Sequence, residues 1–149
     1  MTVAVPEKLQ TLLDLVGGLD RNDRIQMLIE IAERFRPVPA RLATPPYPAD
    51  HRVPGCESEA YVWAEPNPDG PLGFYFAVEN PQGISARALA RLLSESLSGQ
   101  PLDQVAAVSP DLVYDLFGNE LSMGKALGLM GLVNMVRASV REHRTRTAA

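Results

Sequence analysis

Residues 37 to 50, PVPARLATPPYPAD, set the first limit on how this chain can fold. Five prolines among these residues each remove a backbone donor and push the preceding residue out of the helical region. Neither a regular helix nor a central strand can pass through such a stretch. The upstream flank has helical periodicity, and the downstream flank has strand periodicity. The segment is therefore expected to be an ordered, extended crossing and not a flexible linker.

Upstream, PEKLQTLLDLV (residues 6 to 16) predicts a short helix with Pro6 at its start and the Gly17-Gly18 pair at its end. LDRNDRIQMLIEIAERF predicts a second helix, capped by Asp20 and with Asp23 in its first turn. Ile25, Leu28, Ile29, Ala32 and Phe35 form its apolar stripe. Downstream, EAYVWAE and LGFYFAVE alternate as half-buried strands around the turn PNPDG, which predicts an antiparallel hairpin. Arg52 and Val53 are expected to add a short third strand. After NPQG the period becomes helical again. Ser85 is the expected cap of a helix with Leu89, Leu92, Leu93 and Leu97 inward, and two short helices follow, the second opening at Ser109-Pro110. A last helix runs from about Ser122 to His143. Helices, a small sheet, then helices again give an α+β fold: an antiparallel sheet of about three strands flanked by helices.

The length of 149 residues suits one domain over residues 1–149. The formal charge of -4 argues against nucleic acid or an anionic membrane as partner, since both require a basic face. The N-terminus lacks a secretory pattern, and no apolar run is long enough to span a bilayer. A single cysteine forms no internal disulfide, which fits a reducing, cytoplasmic setting.

Much chemistry lacks the residues it needs. With Cys56, His51 and His143 as the only soft or imidazole ligands, no metal site is expected. No glycine-rich phosphate motif follows a strand, and no nucleotide or other cofactor is implied. Cys56 remains, in the turn HRVPGC. A thiol hydrolase or redox sensor would pair it with His51, although no third group is evident to orient that imidazole. Sulfur transfer needs less: a reachable thiol that accepts a sulfur atom as a persulfide. Gly55 permits the sharp bend, Arg52 is near enough in sequence to favour a thiolate, and Val53, Tyr61 and Trp63 are candidates to shelter it. A third reading makes Cys56 an inert apolar residue of a partner-binding domain. In the last helix, Gly124, Gly128 and Gly131 share one face. Three glycines there suggest either close helix packing or a loop, such as the Cys56 loop, lying against the stripe.

The stretch RVPGCESEAYVW resembles the signature of the SufE family, R-[VI]-x-G-C-x-S-x-[VA]-[WY], with Arg52, Gly55, Cys56 and Ser58 as the matching positions. The likeness extends over roughly residues 8 to 142 and includes LSG at 97 to 99 and LSMGKALGLMGLVNMVR near the end. It implies a SufE/scaffold-like fold in which Cys56 accepts persulfide sulfur from a pyridoxal-phosphate cysteine desulfurase of the SufS type. It further implies that the protein stimulates that enzyme and delivers sulfur to an iron–sulfur scaffold. The last-helix motif departs from the family pattern L-[ST]-P-S-R-x-x-G. Lys125 stands where arginine is usual, Met123-Gly124 replace Pro-Ser, and Glu120 stands where histidine often does. Lysine keeps the charge but loses the bidentate fork, which bears on partner contacts and not on the acceptor.

Overall fold

A computed structural model describes residues 3 to 147. Helices α1 (Glu7–Gly17) and α2 (Arg21–Glu33) precede the proline-rich segment, which ends in a 3-10 turn at Ala49–His51. Strands β1 (Ala60–Asn67) and β2 (Gly70–Val78) follow, then α3 (Ile84–Leu97), α4 (Leu102–Ala106), α5 (Leu112–Phe117) and α6 (Met123–Thr147). The α+β class is as expected, but among the described residues the sheet has two strands, not three. Arg52 forms a single bridge with Tyr61, and the Val53 N–H donates to the Ala60 carbonyl at 2.8 Å. Pro54 lacks the donor that would continue the ladder, so the third strand ends where it begins.

The hairpin has two different faces because strand side chains alternate. Ala60 and Val62 of β1 and Leu72, Phe74 and Phe76 of β2 enter the main core. Tyr61, Trp63 and Ala77 point the other way, into a smaller cluster closed by Val38 with Leu42, Ala43 and Tyr47 packed against it. The proline-rich segment is thus the cover of the sheet's outer face, and Val38 N–H donates to the Phe76 carbonyl at 2.8 Å. Tyr47 packs on Tyr61 and Trp63 with ring centroids 5.2 and 5.3 Å apart.

On the inner face, α3 packs against β2 and α2, and α6 packs against β1. Leu89, Leu92, Leu93 and Leu97 of α3 are all buried, as their spacing predicts. The Asp20 carboxylate caps α2 by accepting from Asp23 N–H at 2.9 Å. The buried stripe of α2 is Leu28, Ile31 and Ala32, with Phe35 packed beside it. Ile25 and Ile29 are only half-buried and line a cavity instead. Two caps differ from expectation. Ser85 already lies inside α3, whose N-cap is Gly83. Ser109 lies in the turn before α5, where its hydroxyl accepts from Asp111 N–H at 3.1 Å.

Candidate functional site

Between Val53 and Ala60 the chain makes two tight turns, and Cys56 belongs to both. The Cys56 N–H donates to the Val53 carbonyl at 3.4 Å, and the Glu59 N–H donates to the Cys56 carbonyl at 3.1 Å. The first turn places Pro54 and Gly55 at its centre, with Gly55 at φ 68°. That pairing of proline then a positive-φ residue is the requirement of a type II turn, which glycine meets without strain. Glu59 also takes a positive φ, 54°, which is unusual for a residue with a side chain.

The loop lies at the surface, yet its cysteine turns inward. Pro54, Gly55, Glu57 and Glu59 are exposed, whereas Cys56 and Ser58 keep only 4% and 5% of their surface accessible. Helix α6 provides the seat. A methyl group placed on Gly128 would stand 3.1 Å from the Cys56 Cα and 3.5 Å from its Sγ; one on Gly131 would stand 3.0 Å from Val53 Cγ1. These two glycines let the loop rest against the helix backbone, as the second reading of the stripe anticipates. Gly124 differs, having nothing within 4 Å of the corresponding position. Around it the helix is open, with Met123 78% and Leu127 58% exposed.

On the other side, Asn80 just beyond β2 holds the loop. Its Nδ2 donates to the Glu57 carbonyl at 3.1 Å and its backbone N–H donates to the Ser58 carbonyl at 3.2 Å. Gly83 permits the close approach, since a Cβ there would stand 3.2 Å from Ser58 Cβ and 2.9 Å from Val78 Cγ1. Sequence reasoning missed Asn80, Gly83 and Arg87. NPQG signals a turn, but nothing in it tells which distant carbonyls the turn will reach.

The candidates from sequence are brought together only in part. Arg52, Gly55 and Ser58 share the loop with Cys56. Arg52 is exposed and lies beside Tyr61, whose phenol titrates above its ordinary value because of burial and the nearby Glu79 carboxylate, while the Arg52 charge opposes that rise. Of the proposed shelter, Val53 shares the main core with Cys56, whereas Tyr61 and Trp63 face the outer cluster and do not cover the sulfur. His51 is on that outer side too. Its Nδ1 is 2.8 Å from the Val62 carbonyl, and its ring stacks on Trp63 with centroids 5.0 Å apart. It is not poised as a base for the thiol.

Lys125 is exposed in the first turn of α6, about one turn before Gly128. Its N–H donates to the capping Ser122 hydroxyl at 3.2 Å. With Ile84 and Ser85 it borders a cavity of about 280 Å³ that also takes in Arg24, Ile25 and Leu121. Glu120, at the same cavity, receives a fork of hydrogen bonds from Arg21 Nε and Nη2 at 2.5 and 2.8 Å. Among the described residues no group of histidine, cysteine and carboxylate side chains is arranged to hold a metal ion.

Comparison with known proteins bears on this geometry. The family model SufE, described as the Fe-S metabolism associated domain, matches residues 10–140. No curated protein matches the chain. Among solved structures, the solution structure of a hypothetical protein from Thermus thermophilus is similar, with a TM-score of 0.74 and 28% sequence identity, covering 95% of this chain and 98% of that one.

Proposed function

The chain belongs to the SufE family, which is associated with iron–sulfur metabolism, and from that premise we propose that it carries sulfur on Cys56. A desulfurase of the SufS type is the donor, and an iron–sulfur scaffold in the cytoplasm is the recipient. The observation that carries this reading is the placement of the chain's single cysteine in a surface loop with its sulfur tucked beneath Gly128.

The transfer is an exchange without net oxidation. The Cys56 thiolate attacks the outer sulfur of the donor's persulfide, a new S–S bond forms at Cys56, and the donor cysteine departs as thiolate. The proton lost by Cys56 returns to the donor, so a thiol and a persulfide trade places. Shelter has a use in this chemistry, because an exposed persulfide is open to any stray thiol. The cost of shelter is that the loop must leave α6 when a partner docks. The two exposed turns permit that, and the exposed Met123 and Leu127 beside Gly124 offer an apolar surface next to the seat.

Stimulation of the donor tests the reading. Alanine release by a desulfurase is measured with cysteine and excess reductant, with and without this protein. The rate is expected to rise several-fold with the native chain and to stay at the basal level with Cys56→Ser. Equal stimulation by the serine variant would overturn the proposal.

A further inference from the structure

We propose that Asn80, braced by Arg87, is the positioning residue that sets how often the Cys56 loop leaves its seat. The inference rests on the carrier reading, in which that departure is a necessary step. Helix α6 touches the loop through van der Waals contact at Gly128 and Gly131. Within the loop, its own turns hold Cys56 through the Val53 carbonyl and the Glu59 N–H. The hold on the two residues immediately after the cysteine comes from Asn80, which grips the carbonyls of Glu57 and Ser58 with its side-chain amide and its backbone N–H, while the Glu79 N–H beside it donates to the Glu59 carbonyl at 3.1 Å.

Asn80 is itself held. Its Oδ1 accepts from Gln82 N–H at 2.9 Å, which fixes the amide so that Nδ2 faces Glu57. Its carbonyl accepts from Gly83 N–H at 2.9 Å and from Arg87 Nη2 at 2.7 Å. Arg87 Nη1 donates to the Pro81 carbonyl at 3.1 Å. One guanidinium from the first turn of α3 thus ties down two carbonyls of the segment from Asn80 to Gly83. Charge-assisted bonds of this kind are the stronger ones. The bond from Nδ2 to Glu57 is exposed to solvent, and such a bond contributes modestly. That suits a latch, which must hold at rest and yield to a docked partner.

Native-state alkylation of Cys56 reads the latch without any desulfurase. Asn80→Asp keeps the acceptor for Gln82, removes the donor to Glu57 and sets a carboxylate against that carbonyl. Arg87→Ala removes the brace. Ile31→Val, a core change on α2 away from the loop, shows how far alkylation follows global stability alone. Asn80→Asp and Arg87→Ala are expected to speed alkylation by about fivefold to tenfold, the effect of losing roughly one hydrogen bond. That increase must exceed what their change in urea midpoint accounts for on the scale set by Ile31→Val. Faster hydrogen exchange confined to residues 56 to 59 is expected to accompany it. Unchanged alkylation, or alkylation that merely tracks global stability, would overturn the latch. Faster alkylation in a protein that never acquires sulfur from a desulfurase would uphold the latch and remove the carrier reading.

Discussion

Cys56 and His51 stand close in the chain, yet their side chains serve opposite faces of the hairpin. The cysteine enters the main core under α6, and the histidine stacks on Trp63 in the outer cluster. Proximity in sequence therefore misleads here, because His51 ends the 3-10 turn and the Pro54-Gly55 bend lies between it and Cys56. The expected consequence is that His51→Ala leaves the dependence of Cys56 alkylation on pH unchanged. A displaced profile would return His51 to the chemistry. What was legible at this scale was the turn itself, since Pro54-Gly55 has one favoured geometry. The burial of Cys56 was not, because it depends on two glycines in the last helix, far along the chain.

Helix α6 shows how an element can be tuned position by position. Its three glycines look alike in the sequence, but Gly128 and Gly131 admit the loop while Gly124 faces open space. Glycine in a helix costs up to about 1 kcal/mol relative to alanine. Gly124→Ala should raise stability by up to that amount, measured by urea unfolding, and leave Cys56 alkylation as it is. Gly128→Ala sets the same gain against a methyl group 3.1 Å from the Cys56 backbone. It should dislodge the loop and accelerate alkylation. Equal alkylation in the two variants would contradict the seat described here. The stripe was visible in the sequence, but which glycines carried contact was not. The strands and the leucine face of α3 were legible because each is fixed by its own periodicity. The third strand was overread because Arg52 and Val53 have the right composition but only Pro54 to follow them.

Across the molecule, Arg21 at the start of α2 and Glu120 before α6 join segments 99 positions apart. The hydrogen bonds from Arg21 hold the Glu120 carboxyl below its ordinary value, assisted by the charges of Arg21 and Arg24 and opposed by its partial desolvation. A carboxyl lowered by folding stabilises the folded state above its unfolded value, and that contribution is lost as pH falls through the lowered one. The melting temperature of Glu120→Gln should therefore lie slightly below that of the native protein near neutral pH. The two should converge as pH drops below the carboxylate range, and a gap that persists there would count against the pairing. Added salt should narrow the neutral-pH gap, since the pair is exposed. The order of elements and the extended course of the proline-rich segment were readable in advance because prolines restrict local geometry strongly, whereas its role as cover of the outer face was not. Long-range pairs such as this one, and the grip of Asn80 on the loop, arise only after folding has joined distant segments. The carrier role turns on whether Cys56 receives a sulfur atom. Intact mass after incubation with a desulfurase and cysteine is predicted to rise by about 32 Da, one sulfur atom, with the increment absent from Cys56→Ser and removed by reductant. A native chain that keeps its original mass while the desulfurase turns over beside it would contradict that role.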